Sequence, residues 1–126
     1  MILHITSQAE WLAAQQSGEY SPPSLQSEGF IHCSTENQVL HVANAFYGGR
    51  SDLLLLQLDE QKLTAPLKWE PPAGMPAPGI LDSDQFPHLF GALNLTAVSA
   101  TFPFLPDSAS GKFSLPSALS TSPNSL

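Results

Sequence analysis

The chain is poor in cationic side chains. Its 126 residues include 4 Lys plus Arg against 11 Asp plus Glu, which gives a formal net charge of −7. A surface this acidic repels phosphate backbones and anionic lipid headgroups. The composition therefore argues against broad nucleic-acid binding and against a membrane-bound protein.

Cysteine and long apolar runs are also scarce. Cys33 is the only cysteine, which excludes an intrachain disulfide and a zinc site built from several cysteines. No apolar stretch is long enough to span a bilayer, and the N-terminus lacks the basic start and apolar run of a signal peptide. The sequence therefore predicts a cytoplasmic protein.

The apolar residues make up 42% of the chain, enough for one hydrophobic core. We predict that residues 1–106 form a single globular domain. Beyond Pro106 the composition changes to Ser, Pro, Ala, Thr and Gly, with few large apolar side chains. Residues 107–126 are therefore predicted to be a disordered tail.

Periodicity and capping signals predict two main helices and several strands. Ser7 and Glu10 have the spacing of a capping box before a first helix that stops at Gly18. Apolar residues three and four apart predict a second helix that ends near Phe46. Strands are predicted over residues 1–6, 29–33, 52–58, 66–70 and 95–104, and irregular segments over 71–79 and 86–91. This order is typical of an α+β domain with a mainly antiparallel sheet.

Three of the four histidines, His4, His32 and His88, lie in short apolar segments. Thr6 follows His4 by two residues, and Ser34 follows His32 by two. Residues i and i+2 of a strand point to the same face, so each pair presents an imidazole beside a hydroxyl. Such a surface can bind sugar hydroxyls or an amide, because each group can donate or accept a hydrogen bond.

Other roles for these residues remain open at this point. A histidine in an apolar strand is often a core residue bonded to a backbone carbonyl. Three imidazoles can hold zinc, but these lack the close helical spacing of a pre-formed site, so we expect no metal. Cys33 alternates with His32 and Ser34 and should face the other side of its strand, as a buried structural thiol.

The motifs HIT, PSLQSEGFIHCST and FPHLFG, with a leucine-rich strand and KWE between the last two, resemble one known family. It is the family catalogued as domain of unknown function 952, and the resemblance covers about residues 1–105. Its fold is similar to that of the ADP-ribosyltransferase superfamily, whose split antiparallel sheet holds NAD in a cleft. The resemblance thus implies an α+β fold with a split, mainly antiparallel sheet and two main helices, ADP-ribosyltransferase-like.

The resemblance also implies roles for individual residues. His32, His88 and Glu70 are expected to be catalytic. Expected ligand-binding residues are His4, Thr6, Ser27, Ser34 and Phe90. NAD or a related nucleotide is the implied substrate, with no permanently bound cofactor, and transfer would pass through an oxocarbenium-like state at the ribose. The alternative is a non-catalytic module that binds a nucleotide or small metabolite, and the oligomeric state is left open.

Overall fold

The structure is a computed structural model that describes residues 1–119. In chain order, its strands are β1 (Ile2–Ser7), β2 (Glu19–Tyr20), β3 (Ile31–His32), β4 (Ser34–Thr35), β5 (Leu53–Leu58), β6 (Leu67–Glu70), β7 (Phe86–Leu89), β8 (Leu93–Asn94) and β9 (Val98–Phe104). Its α-helices are α1 (Gln8–Ser17), α2 (Ser24–Ser27) and α3 (Glu36–Phe46). Single turns of 3-10 helix span Glu60–Lys62 and Leu95–Ala97.

The strands form separate antiparallel sheets. A four-stranded sheet has the order β4-β1-β5-β9, a three-stranded sheet has the order β3-β7-β6, and β2 pairs with β8. Every pairing is antiparallel. The predicted α+β class with mainly antiparallel pairing is therefore confirmed. No helix within residues 1–119 is long and apolar enough to cross a membrane.

Local signals define the two longer helices. The Ser7 hydroxyl accepts the backbone N–H of Glu10 at 3.1 Å, which caps α1. Gly18 ends the helix with φ 95°, a left-handed conformation that favours glycine. At the start of α3, the Gln38 side chain accepts the backbone N–H of Thr35 at 3.0 Å, completing a capping box.

The hydrophobic core consists of two clusters that share the four-stranded sheet. Alternating residues of β5 belong to different clusters, since Leu56 and Leu58 pack with the three-stranded sheet while Leu53 and Leu55 pack with α3. The four consecutive leucines therefore form a strand that is covered on both faces, as predicted.

The structure differs from the predicted tail between residues 107 and 119. Phe113 and Leu119 are buried there, and the Phe113 ring stacks on Phe104 with centroids 4.8 Å apart. The backbone N–H of Phe113 also donates to Oδ1 of Asn44 at 2.8 Å. This segment thus packs on the domain, because its isolated large side chains fill a space beside β9. Residues 120–126 lie outside the described part of the chain.

The segment 86–91, predicted to be irregular, contains the central strand of the three-stranded sheet. β7 pairs with β3 on one side and with β6 on the other. Pro87 and Gly91 are residues that disfavour a regular strand. Proline removes only a donor, however, and the Pro87 carbonyl still accepts the backbone N–H of Cys33 at 3.1 Å.

Candidate functional site

The candidate site lies on one face of the three-stranded sheet. His32 of β3 and Lys68 of β6 are both register partners of His88, which places these three residues side by side. Alternation along each strand adds further residues to this face. We call it the histidine face and define it by Phe30, His32, Lys68, Glu70, His88 and Phe90.

His88 is the most constrained residue of the histidine face. It is 3% exposed, and its Nδ1 lies 2.7 Å from Oε1 of Glu70. The Phe30 ring stacks on the imidazole with centroids 4.1 Å apart and planes 20° apart. Within residues 1–119 no group forms a hydrogen bond with the second ring nitrogen, Nε2. A carboxylate that accepts Nδ1–H leaves the lone pair on Nε2, so this ring can accept a proton or a hydrogen bond there.

His32 forms a second histidine–carboxylate pair beside the first. Its Nε2 lies 2.6 Å from Oε2 of Glu28, four residues earlier in sequence. Its ring meets that of His88 edge-on, with centroids 5.7 Å apart and planes 68° apart. The His32 side chain is 45% exposed. Because it is far more accessible than His88, it is the member of the pair that a ligand meets first.

A cavity of about 250 Å³ adjoins this face. His32, Ser34 and His88 supply its polar wall. The rest of the lining is Cys33, Val42, Phe46, Tyr47, Pro72, Ala73, Met75, Pro76, Ala77, Ile80 and Phe86. The proline-rich segment 71–79, predicted as an irregular loop, therefore forms one apolar wall of the cavity.

Two wider hollows lie elsewhere on the surface. One of about 600 Å³ lies between α1 and the residues around Tyr20, and one of about 450 Å³ lies along α3 beside His41. Neither is lined by His32, His88 or Glu70. The smaller cavity is the better candidate site because it alone of the three is lined by residues of the histidine face.

His4 and Thr6 occupy the interior rather than the cavity. His4 Nδ1 lies 2.6 Å from the carbonyl oxygen of His32, and the Tyr20 hydroxyl lies 2.8 Å from His4 Nε2 and 2.8 Å from Thr6 Oγ1. Burial lowers the pKa of His4 to about 4, so the ring is neutral at pH 7. Nδ1–H then donates to the carbonyl, which leaves the lone pair of Nε2 beside the Tyr20 hydroxyl.

His4, expected to bind the ligand, therefore does not share the cavity with His32 and His88. His4 touches the site only through the backbone of β3, because β1 belongs to the four-stranded sheet and its alternation is unrelated to that of β3. The structure places His4 in the role of a buried histidine bonded to a carbonyl.

The other three predicted ligand-binding residues have different surroundings. Ser34 is 7% exposed and lines the cavity. Phe90 packs on Phe30 with centroids 5.3 Å apart, and Lys68 Nζ lies 4.9 Å from its ring centroid. Ser27 is exposed at the end of α2, where its hydroxyl donates to the Pro23 carbonyl at 3.3 Å. Ser27 thus lies outside the cavity lining.

Three residues at the site were not predicted: Glu28, Phe30 and Lys68. Phe30, which stacks on His88, precedes His32 by two residues, and strand alternation placed both on one face. Glu28 precedes His32 by four residues, but the segment between them is not helical, so this spacing did not predict their contact. Lys68 faces His88 only through the register of β6 and β7.

Cys33 is 3% exposed, and burial raises the pKa of its thiol to about 12. The thiol therefore stays protonated at neutral pH, as a structural side chain does. Within residues 1–119 no group of three or more His, Cys, Asp or Glu is placed to hold a metal ion.

The fold and site define a small α+β domain with paired histidine–carboxylate contacts beside an apolar cavity. A family model described as "Protein of unknown function (DUF952)" matches residues 5–101, and the chain belongs to that family. This part of the sequence-based resemblance is confirmed.

Solved structures of one protein are similar to the chain. The crystal structure of protein CC0527 from Caulobacter crescentus has a TM-score of 0.75 and 30% identity, covering 90% of this chain and 92% of that chain. The solution NMR structure of CC0527 has a TM-score of 0.68 and 30% identity, covering 86% and 87%. No curated protein matches the chain. The ADP-ribosyltransferase-like part of the resemblance finds no support in these comparisons.

Proposed function

We propose that the protein is an enzyme in which His88 acts as the general base on a small molecule bound in the cavity. The observation that carries this proposal is the pair formed by His88 Nδ1 and Glu70 Oε1 at 2.7 Å, in a ring that also lines the cavity. A carboxylate on one ring nitrogen fixes the tautomer and orientation, and the other nitrogen is left to take a proton.

The neighbours of His88 support the same role. Phe30 stacks on the ring at 4.1 Å and restricts its rotation. His32 is more exposed and lies edge-on to His88, so it can hydrogen-bond the substrate or return a proton to the leaving group. The carboxylate of Glu28 orients His32 as Glu70 orients His88.

The nature of the nucleophile follows from the other polar groups of the cavity. The protonated thiol of Cys33 is a poor nucleophile. With the thiol excluded, we expect His88 to activate a hydroxyl, either that of a water molecule, that of the substrate or that of Ser34, which also lines the cavity. The free thiol also suits a reducing compartment, and we propose the cytoplasm as the location.

ADP-ribosyl transfer from NAD is the second candidate. The carboxylate of Glu70, held beside the cavity by His88, is the kind of group that stabilises an oxocarbenium-like ribose. The cavity of about 250 Å³ could take the nicotinamide end of NAD rather than the whole dinucleotide. Release of nicotinamide is the measurement that separates this candidate from the first.

Turnover by matched variants tests the proposal. The parent protein, His88→Gln, Glu70→Gln and Asp82→Asn are incubated with NAD and with a panel of small esters, amides and nucleosides. Asp82 is an exposed carboxylate outside the cavity and serves as the control. We expect His88→Gln to lower the rate about 10²- to 10⁴-fold, the usual contribution of a general base, and Asp82→Asn to leave it unchanged.

Two results would contradict the enzyme proposal. Equal turnover by the parent and His88→Gln would show that His88 is not the general base. Saturable binding without a product, across the whole panel and a wide pH range, would show instead a non-catalytic module that binds a small metabolite. Circular dichroism of each variant separates loss of chemistry from loss of folding.

A further inference from the structure

The cavity beside the histidine face contains no cationic side chain. None of its lining residues, all within the described chain, is Lys or Arg. Arg50, near Tyr47, is bound through two nitrogens to Asp52 at 3.0 and 2.8 Å. Lys68 lies over the Phe90 ring and is absent from the lining. An anionic ligand would thus enter the cavity without a compensating charge.

Carboxylates are hydrogen-bonded to both imidazoles of the cavity wall, from positions outside the lining. Glu28 is bonded to His32 and Glu70 to His88, so each lining imidazole has a carboxylate as its partner. The chain as a whole carries a formal net charge of −7. A negative group placed against these histidines would meet two carboxylates against the single cation of the same face, Lys68, and would be repelled.

Two polar side chains of the cavity lining have atoms without a hydrogen bond among the described residues. The Ser34 side chain is 7% exposed, lines the cavity and forms no hydrogen bond within residues 1–119. His88 Nε2 is likewise unbonded there. A hydroxyl that can donate and a ring nitrogen that can accept, both lining one cavity, match the C=O and N–H of an amide. Apart from His32, Cys33 and Tyr47, the other lining residues are apolar.

The size of the cavity limits the ligand further. A volume of about 250 Å³ lies below the range of about 300–1,000 Å³ that holds drug-sized molecules. It corresponds to roughly eight water molecules at their share of liquid volume. A compact molecule with a single ring or short chain fits this space.

From these observations we infer that the cavity binds a compact, uncharged carboxamide with an apolar body and discriminates against anions. The amide lies at Ser34 and His88, and the apolar body lies against Phe46, Ile80 and Phe86. This inference rests on the site proposed above and names the chemical class of its ligand.

Three probes of matched shape test it: benzamide, benzoate and benzylamine, which are neutral, anionic and cationic at pH 7.5. Binding is measured by NMR titration of the backbone amides of the full chain. We expect benzamide to shift the signals of Ser34 and His88 and to bind at least about tenfold more tightly than benzoate, since like charges oppose the anion. Benzylamine carries a positive charge but no amide, so it tests whether charge alone governs binding. We expect it to bind more weakly than benzamide.

Three variants test whether benzamide binds in the cavity. Ser34→Ala should weaken benzamide binding, and Glu70→Gln should narrow the gap between benzamide and benzoate by removing a negative charge. Asp82→Asn, outside the cavity, should change neither. Benzoate binding as tight as that of benzamide would overturn the inference, as would benzamide shifts confined to another surface or absence of binding by all three probes.

Different results would contradict the inferred ligand class and the proposed function. If none of the probes binds but turnover of some substrate is lost in His88→Gln, the ligand class is wrong and the enzyme proposal stands. If benzamide binds with the expected discrimination but no compound is turned over, the ligand class stands and the enzyme proposal falls.

Discussion

The neutral, buried ring of His4 should limit the stability of the protein in acid. The pKa of His4 is about 4 in the folded protein, against 6.5 for an unburied histidine, chiefly because burial disfavours the charged ring. Below pH 6.5 the unfolded chain binds a proton at this residue that the folded chain does not bind. The free energy of unfolding therefore falls as the pH drops from 6.5 to 4, and the contribution is fully present above 6.5.

The structure gives the size of this effect to an order of magnitude. The difference between the folded and unfolded pKa values corresponds to about 3 kcal/mol, at about 1.4 kcal/mol for each tenfold change in proton affinity. That is a large part of the roughly 5–15 kcal/mol that stabilises a typical domain. Acid unfolding should thus begin in the range where histidines titrate.

Urea unfolding followed by tryptophan fluorescence, at pH values from 7.5 to 4, measures this loss. The comparison variant is His4→Asn, whose amide can still donate to the His32 carbonyl but does not titrate. At pH 7.5 the variant should be less stable by about 1–3 kcal/mol, because the Tyr20 hydroxyl loses its hydrogen bond to His4 and keeps only the one to Thr6. The two curves should converge toward pH 4. Parallel curves over the whole range would refute the argument that His4 is neutral in the folded protein.

Two further predictions concern other buried residues. Burial raises the pKa of Cys33 to about 12, so iodoacetamide at pH 8 should label the native protein far more slowly than the urea-unfolded chain; rapid labelling of the native protein would contradict this. Phe113→Ala should lower the free energy of unfolding by about 3–5 kcal/mol, because the ring is buried against Phe104. The control is Lys112→Ala, at the exposed neighbouring residue, which should change the free energy of unfolding by less than about 0.5 kcal/mol. Equal urea midpoints for the two variants would contradict the packing of this segment.

The elements that sequence reasoning predicted well are those specified by local signals. The cap at Ser7, the stop at Gly18 and the leucine run of β5 are each readable within a few residues. β7 was missed because Pro87 and Gly91 are local breakers, whereas the strand is held by partners distant in sequence. The burial of Phe113 was not predicted, because the prediction averaged composition over a polar segment. One buried ring is nevertheless enough to attach that segment to the domain.

Sequence reasoning named several residues of the candidate site but not how they are arranged. His32, His88 and Glu70 do lie together, but their contact depends on the register of β3, β7 and β6, which no local pattern encodes. His4 carried the same strand pattern as His32. Only the division into separate sheets, a non-local property, decides that His4 lies in the interior and His32 beside the cavity.

Side chains alternate between the two faces of β7, and this constrains which insertions and deletions the strand tolerates. Inserting or deleting one residue before His88 would turn its imidazole to the opposite side of the sheet, where Leu89 is now fully enclosed. A change of two residues would restore the orientation and only shift the ring along the strand. Relatives that keep the proposed role of His88 should therefore differ in length within β7 by even numbers, and odd differences should mark relatives that lack that role.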